Sequence, residues 1–216
     1  MSIAENIQRI KEEIAPKARL IAVTKTKPVE MLMEAYEAGF KRYGENKVQE
    51  MVTKYEQMPK DIEWHLIGHL QTNKVKYIAP FVALIHSVDS FKLLQEINKQ
   101  AAKNNRVIDC LLQIFIAQEE TKFGLSEEEA NELLASDEFK ALENVRIVGL
   151  MGMASNTENE DQVRWEFRVL KQFFNNLRAA HSSMTELSMG MSGDYLLAVE
   201  EGSTLVRVGS AIFGSR

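Results

Sequence analysis

The feature that most constrains this chain is one unit repeated eight times: a short apolar run, a polar or glycine-bearing turn, then a segment of helical periodicity. The apolar runs occupy 20–23, 42–46, 63–68, 81–88, 107–117, 145–154, 185–189 and 204–208. Helical pattern fills 28–38, closed by Gly39, then 47–58, a short piece up to Pro80, and 91–104. Further on, Ser126 with Glu129 opens a helix that continues to about residue 142. Thr157 with Glu160 opens another, whose Val163, Phe167, Leu170, Phe174 and Leu177 make an inward face. Eight alternations in 216 residues predict an α/β fold, a single-domain (β/α)8 TIM-type barrel spanning 1–216. One extra amphipathic helix precedes it, with Ile3, Ile7, Ile10 and Ile14 on one face, and a short helical ending follows the last strand. A doubly wound open sheet is the alternative; the count of repeats and the clustering of polar and glycine residues at strand ends favour the barrel.

Composition narrows the setting. Hydrophobic residues make up 45% and charged residues 26% of the chain, with a net charge of −5, as in ordinary soluble proteins. Basic residues are scattered among acidic ones without a one-sided stripe, so no nucleic acid partner is expected. No apolar run approaches a membrane span, and the N-terminal segment reads as an amphipathic helix rather than a signal peptide. The single cysteine, Cys110, lies inside an apolar run and reads as a small buried hydrophobe, which fits a reducing cytoplasm.

In a parallel barrel the C-terminal ends of the strands form one mouth. Lys25, Asn46, Ser192, Arg207, Gly209 and Ser210 are predicted to converge there despite their separation in sequence. Gly190-Met191-Ser192-Gly193 and Gly209-Ser210 follow the seventh and eighth runs, where barrels bind phosphate on backbone N–H groups. Glycines at such turns also serve geometry alone, and a strand-end lysine is commonly a solvated cap. Two adjacent turns opposite Lys25 favour a phosphorylated ligand, and a lysine facing phosphate suggests an imine with a phosphorylated aldehyde such as pyridoxal phosphate. Strand alternation turns Arg207 away from Val206 and Val208, into the barrel, where it either meets a pyridine nitrogen or forms a structural ion pair. Arginine only donates, so a ring nitrogen facing it stays unprotonated.

Other constellations carry less. His65 and His69 are separated by about 13 Å along an extended strand, too far for shared metal ligation, and no metal is expected. Met31, Met33 and Met51 read as core filler. Glu119, Glu120 and the Glu127, Glu128 and Glu129 run read as solvated charges.

Several motifs together carry a family resemblance. They are Ile21-Ala22-Val23-Thr24-Lys25 with Lys27-Pro28, Tyr43-Gly44-Glu45-Asn46, and Trp64-His65-Leu66-Ile67-Gly68 with Leu70-Gln71-x-Asn73-Lys74. Leu187-Ser188-Met189-Gly190-Met191-Ser192 and Val206-Arg207-Val208-Gly209-Ser210-Ala211-Ile212-Phe213-Gly214 complete the set. The chain resembles the pyridoxal phosphate homeostasis proteins, themselves similar to the N-terminal barrel of alanine racemase. The resemblance implies pyridoxal 5'-phosphate held as a Schiff base on Lys25, phosphate contacts from Ser192, Gly209 and Ser210, and Arg207 at the ring nitrogen. Asn46 and Met153 are implied to line the ring, and Lys27 to help hold or release the cofactor. Thr24 and Ser210 stand where the family commonly has serine and threonine, and both keep the hydroxyl. The implied role is a monomeric cytoplasmic protein that binds the cofactor and supplies it to pyridoxal phosphate enzymes without established turnover. The rival is a pyridoxal phosphate-dependent amino-acid racemase or related enzyme with weak activity, which would need a second acid-base group. Racemases of this type take a tyrosine from an added β domain, and here only Tyr43 lies at an obvious strand end.

Overall fold

Each apolar run forms a strand that pairs in parallel with the next, and the last closes on the first. The eight are β1 (Arg19–Val23), β2 (Arg42–Glu45), β3 (Glu63–Leu66), β4 (Leu84–Val88), β5 (Ile108–Gln113), β6 (Val145–Met151), β7 (Glu186–Ser188) and β8 (Leu205–Val208). Arg19 pairs with Leu205 and Ile21 with Arg207 at the closure. The structure is a computed structural model that describes residues 1–119 and 123–214. Among the described residues these strands form a closed (β/α)8 barrel.

Helices wrap it in chain order: α1 (Ile3–Ile14), α2 (Val29–Glu37), α3 (Val48–Gln57), α4 (Val75–Ile78), α5 (Phe91–Lys103), α6 (Glu127–Ala135), α7 (Asp137–Lys140), α8 (Glu160–Ala180), α9 (Tyr195–Glu200) and α10 (Ser210–Phe213). Ser2 and Glu5 close a reciprocal capping box on α1, and its Ile3, Ile7, Ile10 and Ile14 are buried as their spacing predicts. The inward face of α8 is buried at all five expected positions. Most of the hydrophobic core lies between the sheet and this helical layer. A second, smaller cluster of Ile21, Leu84, Leu111, Val148, Met151 and Leu205 fills the inside of the barrel.

Local boundaries differ from the sequence reading for identifiable reasons. The helix expected to run to 142 breaks at Ser136, whose extended backbone and side-chain acceptor restart it as α7 through the Phe139 N–H. Asn159, not Thr157, caps α8: its side chain accepts from the Gln162 N–H at 3.2 Å, while the Thr157 hydroxyl accepts from the Asn159 N–H. The run at 81–88 yields a strand only from Leu84, because Phe81 closes a turn onto the Ile78 carbonyl and stacks on Tyr55 with ring centroids 3.8 Å apart. Pro28 sits at the N-cap of α2, one residue before the helix begins. Cys110 is buried, and so is Met51. Glu119 accepts a hydrogen bond from the Asn156 N–H, whereas Glu120 lies outside the described residues. No described helix is long and apolar enough to cross a membrane.

Candidate functional site

β1 ends at Val23, so Lys25 stands two residues beyond the strand, exposed and engaged in no hydrogen bond or ion pair among the described residues. It shares a cavity of 120 Å³ with Thr26, Lys27, Gly209, Ser210 and Gly214. The topology brings these together because β1 and β8 are neighbours at the barrel closure. Ser210 opens α10, and the missing side chain at Gly209 keeps the cavity floor clear: a Cβ there would lie 3.1 Å from the Val23 carbonyl oxygen. Ser192 joins from the β7 turn, its hydroxyl accepting from the Gly209 N–H at 3.1 Å. That turn is shaped by Gly190 at φ +99° and by the Asp194 carboxylate, which accepts from the Met191 N–H at 2.6 Å. Burial pushes the Asp194 carboxyl up, against the opposing pull of the Met191 N–H and Arg207. Lys27 donates to the Gly214 carbonyl at 3.0 Å across the same cavity.

The loop that carries Lys25 is braced from below by a buried ionic cluster. The Lys54 ammonium, 5% exposed, donates to the Thr24 carbonyl at 2.6 Å, to Glu45 at 2.5 Å and to Glu50 at 2.8 Å. Glu50 in turn accepts from the Thr26 N–H at 2.6 Å, holding Thr26 at φ +64°, a conformation unusual for a β-branched residue. Glu45 is fully buried and also accepts from the Thr24 hydroxyl at 2.6 Å. Burial raises its carboxyl above the ordinary range, with the Lys54 ammonium pulling it back.

Arg207 points into the barrel and is 3% exposed. No ion pair to a carboxylate holds it among the described residues; its guanidinium donates to the Ser188 hydroxyl and, at 3.2 Å, to the Gly152 carbonyl. Burial pushes its pKa down to about 10, so it stays charged at neutral pH. Behind it runs a polar file that sequence reading missed. Ser188 Oγ lies 2.9 Å from His86 Nδ1, and His86 Nε2 lies 2.9 Å from His65 Nδ1. His86 sits in an apolar run with no spacing that marks it, and only strand alternation could have turned it inward. His69 is exposed and faces Asp89 at 3.8 Å. No metal-holding cluster of three or more His, Cys, Asp or Glu residues occurs among the described residues.

Of the predicted residues, Arg207, held in the barrel interior, Met153 and Asn46 do not line the Lys25 cavity. Met153, 38% exposed, lines a neighbouring hollow with Phe115, Phe123 and Met191, and Asn46 follows β2 with its backbone packed against Gly68. Tyr43 is no candidate for acid-base work at this mouth. It is fully buried, its hydroxyl donates to the Leu32 and Phe40 carbonyls at 2.9 and 2.8 Å, and burial raises its pKa.

Burial in the barrel lowers the pKa of His65, against the pull of Glu63, and drives that of His86 well below the ordinary value. In the unfolded chain both titrate near 6.5, so the unfolded state takes up protons first and stability falls as pH drops below that value. The slope is up to about 1.4 kcal/mol per pH unit for each ring. Urea midpoints are expected to decline between pH 7 and 5.5, above the range where Glu63, held at about 2 beside His65 and Arg42, takes up its proton. A flat profile over that interval would show that the rings are not held neutral.

Comparison with known proteins adds the family. The model for the alanine racemase N-terminal domain matches residues 1–216. The pyridoxal phosphate homeostasis protein of Aquifex aeolicus is 42% identical over 228 residues, covering 100% of this chain and 99% of that one. That of Escherichia coli is 34% identical over 231 residues, covering 99% and 97%. Among solved structures, PipY of Synechococcus elongatus without pyridoxal phosphate superposes with a TM-score of 0.92 at 34% identity, covering 99% of this chain and 100% of PipY. PipY with pyridoxal phosphate bound gives 0.89 at the same identity and coverage. An alanine racemase of Clostridium difficile, 14% identical with a TM-score of 0.78, shares the barrel over 56% of its length. Matched from end to end by these relatives, the chain belongs to the pyridoxal phosphate homeostasis protein family.

Proposed function

We propose that the chain binds pyridoxal 5'-phosphate at the C-terminal mouth of its barrel, with Lys25 as the residue that forms the Schiff base. The observation that carries this reading is the cavity shared by Lys25, Gly209 and Ser210, where an unengaged amine faces the start of α10. The donor set fits the cofactor: hydroxyls at Ser192 and Ser210 and backbone N–H groups for a phosphate, an amine for an aldehyde. The cofactor bound in PipY supports the same ligand here. When bound, it supplies an aldehyde for capture and a ring whose power to accept electrons depends on protonation of its nitrogen.

The residues of this chain favour holding over turnover. Arg207 can only donate, so if it faced the ring nitrogen it would leave that atom unprotonated and the ring a weak electron sink. Tyr43 is committed elsewhere. Lys27, which donates to the Gly214 carbonyl at the cavity edge, would help to hold or release the cofactor in this reading. Asn46 and Met153 flank the ring in this reading, which follows the family resemblance for both. The same resemblance supports residues 1–216 working as one monomeric cytoplasmic unit that supplies the cofactor to pyridoxal phosphate enzymes.

Borohydride reduction of the loaded protein, followed by peptide mass mapping, is expected to place the reduced cofactor on Lys25. In a second experiment, the loaded protein is incubated with L-amino acids in heavy water and α-proton exchange is followed by NMR. Exchange no faster than with free cofactor supports the carrier reading; rapid exchange at catalytic amounts of protein would put the enzyme first.

A further inference from the structure

Through the apolar filling of the barrel runs a chain of polar groups that joins His65, His86, Ser188 and Arg207. It spans the barrel lengthwise. His65 stands beside Glu63, the first residue of β3, whereas the Arg207 guanidinium reaches the Gly152 carbonyl, one residue past the end of β6. Parallel strands put the first at the N-terminal mouth and the second at the C-terminal end, the side on which Lys25 stands.

Proton counting gives this chain one direction. Arg207 can only donate, so Ser188 Oγ accepts from it, and the Ser188 hydroxyl proton goes to its other polar neighbour, His86 Nδ1. His86 then carries its proton on Nε2 and donates to His65 Nδ1, and the His65 Nε2–H faces the Glu63 carboxylate at 3.7 Å. The opposite direction would strand the Ser188 hydroxyl proton in the interior and set a bare His65 nitrogen against a carboxylate. Burial, with the Arg207 charge adding to it, keeps His86 neutral.

What the chain supplies to Arg207 is an acceptor without a charge. A carboxylate in place of Ser188 would also fix the guanidinium, but as an ion pair that cancels its charge. Ser188, fully buried and backed by two neutral imidazoles, fixes one Nη and leaves the positive charge uncancelled. Asp194, on the turn after β7, feels that charge, but no ion pair joins the two among the described residues. We infer that Ser188 is a positioning residue for Arg207, and that His86 and His65 keep Ser188 in the accepting role, so that a fully charged guanidinium is held at a fixed angle beneath the cofactor mouth. Its effect on the cofactor rests on the reading that puts Arg207 at the ring nitrogen; the direction of the chain does not.

The test begins with the full-length chain, ¹⁵N-labelled and free of cofactor, its histidine rings read by long-range ¹H–¹⁵N correlation. His65 and His86 are both expected as Nε2–H tautomers, and this reading in the parent chain stands even where a variant does not fold. Exchange of the Arg207 Nη protons with water is expected to speed up at least about tenfold in Ser188→Ala and in His86→Leu. His86→Gln, whose amide can accept from Ser188 and donate to His65, is expected to restore slow exchange. In the protein loaded with pyridoxal phosphate, the cofactor absorption band is expected to shift in Ser188→Ala and His86→Leu in the same direction as in Arg207→Gln. It should return in His86→Gln, with covalent capture retained throughout. An Nδ1–H tautomer at His86, or guanidinium exchange unchanged in Ser188→Ala, would overturn the inference. So would a band that moves in Arg207→Gln but in neither Ser188→Ala nor His86→Leu. A band unmoved by Arg207→Gln would instead overturn the placement of Arg207 at the ring nitrogen, while the cofactor-free measurements decide the role of Ser188.

Discussion

Lys25→Ala is expected to abolish covalent capture of pyridoxal phosphate and to raise the dissociation rate of what remains by at least about a hundredfold, roughly 2.7 kcal/mol. The fold should not change. Lys25 is exposed and bonds to nothing among the described residues, and substitutions of that kind fall within about 0.5 kcal/mol of neutral. The phosphate contacts proposed for Ser192, Gly209 and Ser210 do not involve Lys25, so weak, rapidly reversible binding is the expected residue of affinity in the variant. Lys25→Arg separates charge from nucleophilicity: it keeps a cation at the cavity and supplies no amine that can condense with an aldehyde. If attraction to the phosphate dominated, the arginine variant would hold the cofactor nearly as well as the parent. If the covalent link dominates, as proposed, both variants release it on a desalting column. Undiminished capture in Lys25→Ala would assign the link to another lysine, with Lys27 the first to examine.

The barrel was legible because each of its strands is a short apolar run with a turn behind it, and Arg207 because its flanking valines fix the face it points to. Strand ends were less legible. Ile114 and Ile116, beyond the end of β5, remain buried at 3% and 8%, so hydrophobicity continues where sheet pairing has stopped. The capping signal misplaced the start of α8 because Thr157 and Asn159, two residues apart, both offer acceptors and the backbone selects between them, and the restart at Ser136 was hidden inside a continuous helical pattern. The polar interior was the least legible. His65 read as half of an unsuitable metal pair and as one position of a family motif, and nothing in a linear sequence says that His86 and Ser188, 102 residues apart, sit within a hydrogen bond of each other. Lys54 was hidden differently. A lysine among Glu50, Glu56 and Gln57 on a helix reads as solvated, and only the packing of α3 under the β1 loop buries it.

That buried lysine gives the largest expected effect on stability. Lys54→Met keeps the length and apolar stem of the side chain but leaves Glu45, with no exposed surface, facing Glu50 without a counter-charge. Breaking a buried pair from one side costs about 3 to 5 kcal/mol, roughly 10 °C or more in Tm for a chain of this size. The cost carries its own pH signature. Without Lys54 the Glu45 pKa, already raised by burial, rises further, so the folded variant binds a proton that the unfolded chain, with its ordinary carboxyl, does not. Stability of the variant relative to the parent is therefore greatest below the unfolded pKa and falls as pH rises toward the folded one, so the deficit should shrink between pH 7 and 5. Glu45→Gln added to Lys54→Met removes the stranded charge and is expected to recover most of the loss at pH 7. The effect reaches the site as well. Lys54 and Glu50 hold the Thr24 carbonyl and the Thr26 N–H on either side of Lys25, and Thr26 keeps its positive φ only while surrounding bonds hold it there. Covalent capture is expected to slow in Lys54→Met under conditions where the variant is fully folded, and to stay slow in the double variant, which regains stability without regaining the brace. A deficit below about 1 kcal/mol, or one that does not change with pH, would show that water reaches this cluster and that Lys25 is positioned by something else.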